Sequence, residues 1–225
     1  MKKTLLMIAA ALAAGVISTQ AQVYSQNIVG YVNLSITNGY HFFCTPLDAD
    51  GTGTNNTVVG VLGTNWPVGT KVLAWNGSTF TVNQFVVPNH QTIPVWGSPN
   101  APLNPGQGFF LYNPGPSTNL TITGNALVGT NVNNNLTPGG GYYSVASISP
   151  ISGDITTNLN YTPTLNDQVL LWNDAKQTYD IYAYAIPNHQ TQPVWSPSRP
   201  QIQVGQPFFI NTTNPSPTWT QILNP

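Results

Sequence analysis

The chain repeats itself, and this repeat limits what it can fold into. The nine residues from Pro88 to Trp96 (Pro-Asn-His-Gln-Thr-Ile-Pro-Val-Trp) return from Pro187 to Trp195 with a single change. The pairs Val29-Gly30 and Phe109-Phe110 return in the same register, as Val128-Gly129 and Phe208-Phe209. Three matches in one register indicate two copies of a single structural unit.

Each copy has the size and the patterning of a small β-domain. We place the copies at residues 22–124 and 125–225, and about 100 residues are enough to bury a core. Short runs of apolar residues alternate with polar ones, while Pro and Gly recur too often for long helices. The sequence therefore predicts an all-β fold of two tandem, homologous β-sandwich-like modules.

Residues 1–21 predict export. Met1-Lys2-Lys3 precedes an apolar run from Leu5 to Val16, and the small residues Thr19 and Ala21 suit cleavage after Ala21. The run is too short to span a bilayer permanently. We expect a secreted protein, extracellular or on the cell surface, with the periplasm as the alternative compartment.

The charge excludes two classes of partner. The whole chain has five Lys and Arg against six Asp, and it has no Glu. Loss of Lys2 and Lys3 with the signal peptide leaves three basic residues. Three are too few for the row of phosphate contacts that binds nucleic acid, or for a patch that binds anionic lipid. We expect no nucleic-acid partner and no membrane insertion after signal removal.

A weakly charged surface instead favours association. Copies of the chain repel one another little, and lysine, which often protects sheet edges from pairing, is almost absent. The expected partners are further copies of the chain or other cell-surface proteins, with polysaccharide as the alternative.

Two hairpins are predicted at equivalent places in the copies. In the first, residues 71–75 pair with residues 79–82 across Asn76-Gly77, a sequence typical of a type I′ turn. In the second, residues 169–172 pair with residues 179–184. Trp75 and Trp172 stand directly before the turns, and we expect both to be mostly buried.

Four segments of the first copy resemble a known family. They are residues 27–33 (Asn-Ile-Val-Gly-Tyr-Val-Asn), residues 39–47, the Trp75-Asn76-Gly77 hairpin and residues 103–115. Together they resemble secreted β-module proteins of verrucomicrobial and planctomycete bacteria. The resemblance implies a compact β-sandwich and an extracellular setting, and it brings no catalytic residue. The second copy departs from the pattern, because Pro207 replaces its second glycine.

The duplicated nine-residue segment is the first candidate binding site. Planar amides and an indole face are what a sugar-binding cleft uses to bond hydroxyls and stack on the ring. The alternative is a rigid, Pro-bounded loop whose polar side chains bond their own backbone. The candidate ligand-binding residues are Asn89, His90, Gln91, Trp96, Asn188, His189, Gln190 and Trp195.

A second candidate site has the alternating oxygen ligands of a calcium loop. Asp48, Asp50 and Thr52 begin such a pattern, with Gly53 at the position of a sharp turn. Val59 stands where the closing glutamate would be, so a plain solvated turn is the alternative. Calcium is the only cofactor that the sequence suggests.

No catalytic constellation is recognisable. No acidic residue is repeated between the copies, and Cys44 has no repeated base beside it, so we expect a non-enzymatic protein with Cys44 buried. The sequence favours an exported extracellular structural or adhesive β-repeat protein that self-associates or joins a cell-surface assembly. The alternative is a pair of carbohydrate-binding modules that use the duplicated loops.

Overall fold

The computed structural model describes residues 28–52, 56–133, 136 and 139–224; the predicted signal peptide lies outside this part. The described residues form an all-β structure, as predicted, with one short helix, α1 (Val58–Leu62). None of the described helical structure is long and apolar enough to cross a membrane. The strands are β1 (Val29–Ile36), β2 (Gly39–Cys44), β3 (Lys71–Trp75), β4 (Phe80–Val86), β5 (Val95–Trp96), β6 (Gly108–Asn113), β7 (Thr118–Asn125), β8 (Gly129–Val132), β9 (Gly141–Val145), β10 (Gly153–Asp154), β11 (Gln168–Asn173), β12 (Thr178–Ala185), β13 (Val194–Ser196), β14 (Gln201–Ile202), β15 (Phe208–Thr212) and β16 (Thr220–Leu223).

Two five-stranded antiparallel sheets share one strand order. The first sheet runs β2-β6-β3-β4-β5, and the second runs β9-β15-β11-β12-β13. Each strand of the first sheet has its sequence counterpart at the same place in the second. Two-stranded ribbons accompany the sheets, β1 with β7 in the first half (residues 28–125) and β8 with β16 in the second half (residues 126–224). The ribbon strand β7 continues to Asn125, one residue past the predicted boundary.

Each half buries a core on one face of its sheet. In the first half, Val72 of β3 and Phe109 of β6 pack with ribbon residues that include Ile36 and Leu120. Helix α1 adds two buried side chains, and Thr57 caps it by accepting a hydrogen bond from the backbone of Gly60 at 3.1 Å. The second core lies on the equivalent face of the second sheet, but loop residues such as Ile155 and Leu159 take the place of the helix and the ribbon residues. Its members include Val169, Phe208, Ile210, Tyr143 and Trp219.

Both predicted hairpins form, but the first turn is longer than expected. Trp75 pairs with Phe80, so four residues separate the strands. The side-chain oxygen of Asn76 accepts hydrogen bonds from the backbone N–H groups of Ser78 and Thr79, at 3.1 and 2.9 Å. Because this side chain already satisfies the turn backbone, a two-residue type I′ turn does not form. In the second hairpin Trp172 pairs with Tyr179.

The outer faces of the two sheets pack against each other through aromatic side chains. Phe42, Phe110 and Phe209 are buried at this contact, which we call the aromatic interface. Phe42 stacks on Phe110 with the ring centroids 4.5 Å apart, and on Phe209 at 5.3 Å. The partly buried residues around them are Leu73, Trp75, Phe80, Leu170, Trp172 and Tyr179.

The aromatic interface has approximate two-fold symmetry. The indole N–H of Trp75 donates to the carbonyl of Tyr142 at 3.0 Å, and that of Trp172 donates to the carbonyl of Tyr40 at 3.3 Å. Ring contacts are reciprocal too, since Trp75 lies 5.7 Å from Phe209 and Trp172 lies 5.0 Å from Phe110. The two halves therefore meet as subunits do in an isologous dimer. Both indoles lie between the halves and outside either core.

Gly108 lies where the two halves approach most closely. A Cβ at this position would lie 2.6 Å from Pro207 Cβ, 2.8 Å from Phe42 Cζ and 2.8 Å from Ser144 Oγ. Pro207 is the sequence counterpart of Gly108, so the two positions face each other across the pseudo-symmetric contact. Any side chain here has to push the halves apart.

We expect Gly108→Ala to lower the free energy of unfolding by about 1–3 kcal/mol, the usual cost of overpacking a well-packed contact. Urea denaturation followed by tryptophan fluorescence measures this. Gly97→Ala is the matched control, because its added Cβ would meet atoms only at 3.5 Å and beyond. Equal effects of the two substitutions would contradict the close approach at Gly108.

Candidate functional site

The duplicated segments fold into the same turn in both halves. The N–H of Gln91 donates to the carbonyl of Pro88 at 3.1 Å, and the N–H of Gln190 donates to Pro187 at 3.1 Å. The third residue of each turn is histidine with a left-handed backbone, φ 65° at His90 and φ 68° at His189. A positive φ only at the third position is typical of a type II turn. The repeated residues thus share a backbone geometry.

The turns present their polar side chains to solvent. In both halves the Asn, His and Gln of the turn are exposed, namely Asn89, His90, Gln91, Asn188, His189 and Gln190. The side chains of Gln91 and Gln190 have no hydrogen-bond partner among the described residues. The turns therefore offer amide and imidazole groups to an external partner.

Trp96 and Trp195 do not form a floor beneath these turns. Both indoles are buried in the cores, where Trp96 donates its N–H to the carbonyl of Gly63 at 2.8 Å. Trp195 donates to the hydroxyl of Thr156 at 3.2 Å. Successive residues of a strand point to opposite faces, so Val95 takes the outer face and Trp96 the core. The structure separates the predicted site into exposed turns and buried tryptophans.

The predicted calcium ligands differ in burial and in the hydrogen bonds that they make. Asp48 is fully buried, and its backbone exchanges hydrogen bonds with Asn125. Asp50 is exposed and accepts hydrogen bonds from the N–H and hydroxyl of Thr52, at 3.0 and 2.8 Å. Residues 53–55 lie outside the described part, and the described residues contain no group of three or more His, Cys or acidic side chains placed to hold a metal. Calcium binding stays a prediction.

Cys44, Tyr161 and Asp167 are buried titratable groups. Cys44 is a buried free thiol, and burial raises its pKa, so it is not a reactive thiolate at neutral pH. The hydroxyl of Tyr161 donates to Oδ2 of Asp167 at 2.7 Å. This carboxylate oxygen also accepts a hydrogen bond from the backbone N–H of Thr164 at 2.8 Å. Burial, and then the bond to Asp167, raises the pKa of Tyr161. These contacts fix the loop that leads into β11.

An aromatic cleft opens at one end of the aromatic interface. It has a volume of about 270 Å³, and we call it the Tyr142 cleft. The sequence analysis did not predict this cleft, although the apolar pattern of two strands indicates a second covered surface. Strands β3 and β6 carry apolar residues on both faces, as strands covered on both sides do. The cleft is lined by Trp75, Phe80, Tyr142, Leu170, Tyr179 and Phe209.

At the other end of the interface, the loop between β11 and β12 holds strand β2. Asp174 Oδ1 lies 3.4 Å from Nδ1 of the buried His41, whose Nε2 lies 3.0 Å from the carbonyl of Thr37. A carbonyl only accepts, so Nε2 carries a proton, and Nδ1 donates to the carboxylate only when the ring is doubly protonated and positively charged. The hydrogen bond to Asp174 raises the pKa of His41 above its ordinary value of 6.5, against the effect of burial.

We expect His90→Gly to change the free energy of unfolding by less than about 1 kcal/mol, because glycine adopts a left-handed backbone without strain. His90→Val should cost about 1–2 kcal/mol, since a β-branched residue is strained there. Chemical denaturation of both variants measures the difference. If glycine costs as much as valine, the imidazole itself supports the fold.

We expect the stability of the protein to depend on pH through His41. Its pKa is raised in the folded state, so the added stability is fully present below about pH 6.5, the unfolded value. This contribution is lost as the pH rises through the folded pKa. In thermal melts from pH 5 to 9, wild type should have the higher melting temperature at low pH, and its difference from Asp174→Asn should shrink as the pH rises. A constant difference across this range would exclude the ion pair as the cause.

Comparisons with known proteins identify no relative of this chain. No protein-family model, curated protein or solved structure matches it. The resemblance to verrucomicrobial and planctomycete β-module proteins stays a prediction from sequence. The function is therefore argued from the contacts and surfaces of the chain itself.

Proposed function

We propose that this chain is an exported, extracellular structural or adhesive protein that associates with copies of itself or with other cell-surface components. One observation carries the proposal. Both halves expose apolar side chains at the same places of the fold, on a surface with few charges. Matched apolar patches of this kind are typical of interaction surfaces.

The match between the halves is close. Val82 is 53% exposed and its counterpart Ile181 54%; Val87 is 43% exposed and Ile186 45%; Val95 is 39% exposed and Val194 41%. Val82 lies opposite Leu73 on the outer face of the first sheet, and Ile181 lies opposite Leu170 on that of the second. We call these six residues the outer patches. Of these, Val82 and Ile181 continue the apolar faces that meet at the aromatic interface.

The sheet edges beside the outer patches support the same proposal. Among the described residues, β5 pairs with β4 alone and β13 pairs with β12 alone. An open edge strand presents unpaired backbone groups to a neighbouring chain, and charged residues commonly guard such edges. Strand β5 has no charged residue, and neither has β13.

Carbohydrate binding by the duplicated turns has less support than association. A sugar site needs an aromatic face for stacking, and the two tryptophans of the motif lie in the cores. The exposed amides of the turns remain free to bond a sugar or a protein. A glycan array with the whole mature chain distinguishes the two functions, because association predicts no signal.

We expect the double substitution Val82→Lys and Ile181→Lys to reduce self-association. Two added positive charges on the outer patches make it costly to bury them against a neighbouring copy. Sedimentation velocity over a range of concentrations measures the effect. Wild type should gain mass with concentration, and the variant should stay monomeric to concentrations about tenfold higher, a loss of about 1.4 kcal/mol.

Thr123→Lys with Thr130→Lys is the matched control, because both threonines are exposed on the ribbon strands β7 and β8, outside the two large sheets. It adds the same two positive charges away from the outer patches and should leave association unchanged. A wild-type chain that remains monomeric at millimolar concentration, and binds no cell-surface material, would overturn the proposed function.

A further inference from the structure

The two ends of the aromatic interface differ in how the edge strand is closed. At the β2 end, the side chain of Gln177 bonds the backbone of Tyr40 twice. Its oxygen accepts the N–H of Tyr40 at 3.1 Å, and its nitrogen donates to the carbonyl of Tyr40 at 3.0 Å. A carboxamide thus occupies the place of a neighbouring strand and closes this edge of the first sheet.

The β9 end lacks this closure. Tyr142 is the counterpart of Tyr40, and among the described residues its carbonyl accepts a hydrogen bond from the indole N–H of Trp75 alone. The N–H of Tyr142 points to the same side of the edge strand and has no partner among the described residues. The Tyr142 cleft lies beside it. The same backbone geometry is therefore filled at one end and open at the other.

Loop length explains the difference. Six residues separate Trp172 from Tyr179 in the second hairpin, and four separate Trp75 from Phe80 in the first. The longer loop carries Gln177 to the edge of the first sheet. In the shorter loop the corresponding residue before the strand is Ser78, whose side chain lacks a carboxamide.

We propose that the Tyr142 cleft binds a glutamine side chain from a second copy of this chain, supplied by one of the duplicated turns. The occupied end of the interface shows which group the open end fits: a carboxamide that accepts from one N–H and donates to the adjoining carbonyl. Gln91 and Gln190 present such groups on exposed turns. The aromatic lining adds apolar contact for the rest of the turn. This inference rests on the proposed self-association and gives it a site.

Such a contact joins unlike surfaces. Each copy inserts a turn into the cleft of the next copy and keeps its own cleft and its remaining turn free. A heterologous contact of this type extends into an open array when the rotation between copies does not close a ring. Growth by addition of copies suits an extracellular structural role.

The test fills the cleft from within the same chain. Residues Gly77-Ser78 are replaced by Asp-Ala-Lys-Gln, the sequence of residues 174–177, so that the first hairpin carries its own glutamine to Tyr142. The control carries Asp-Ala-Lys-Ser, with the same loop length and charge. We expect the dissociation constant for self-association to rise about tenfold in the Gln graft relative to the Ser graft, as for loss of a paired hydrogen-bonding group.

A second variant tests the other side of the contact without changing the hairpin. Gln91→Ala with Gln190→Ala should weaken association by a similar factor, while Asn100→Ala, a change of another exposed amide, should not. Sedimentation velocity measures all the variants, and far-UV circular dichroism confirms that each is folded. Equal association of the Gln and Ser grafts, or full association of the double alanine variant, overturns the inference. Those results leave the proposed function intact, whereas a strictly monomeric wild type removes both.

Discussion

The packing of the outer sheet faces against each other is the contact on which the rest of the structure depends. Strands β3 and β6 present apolar side chains to the core with Val72 and Phe109, and to the opposite side with Leu73 and Phe110. A sheet that is apolar on both faces needs cover on both, and one half alone supplies it on one face only. The second half covers the other face with the equivalent residues of its own sheet. Reciprocal indole-to-carbonyl hydrogen bonds fix the orientation of the halves, and the edge-to-face ring pairs add about 0.5–1.5 kcal/mol each.

Near-symmetric contact also explains where the two copies have diverged. On a two-fold axis a residue meets its own counterpart, so identical bulky side chains would compete for one space. Gly108 faces Pro207 there, and a Cβ on Gly108 has no room. Phe42 stacks on Phe110 and Phe209, while its counterpart Ser144 is small and donates its hydroxyl to the carbonyl of Gly108 at 2.7 Å. A single chain can satisfy this requirement with two different residues, whereas a dimer of identical modules cannot. These two departures from the repeat therefore prevent steric overlap where the two halves meet.

The sequence predicted the all-β class and the two hairpins, because those features depend on local patterns. It did not predict that Trp96 and Trp195 lie in the cores, since strands β5 and β13 are too short for alternation to reveal which face each residue takes. The turn at Asn76 also differed from expectation, because side-chain bonding to the backbone competed with the type I′ geometry. The Tyr142 cleft depends on contact between distant segments and on a difference of two residues in loop length. Apolar residues on both faces of β3 indicate that a second surface exists, but they do not identify which surface it is.

Fusion of the two halves has a consequence for any larger assembly. An isologous contact is complete once two equivalent units have used it, and here both units lie in one chain. The aromatic interface is therefore no longer available to join one molecule to another. Further association must use surfaces that remain open in the fused pair, such as the outer patches, the exposed turns and the unclosed edge at Tyr142. Turn and cleft are different surfaces, so a contact between them has no two-fold symmetry of its own. The hairpin loops have diverged, because Gln177 closes one sheet edge and Ser78 leaves the other open. The fused pair therefore has two different ends, and copies of it can associate head to tail.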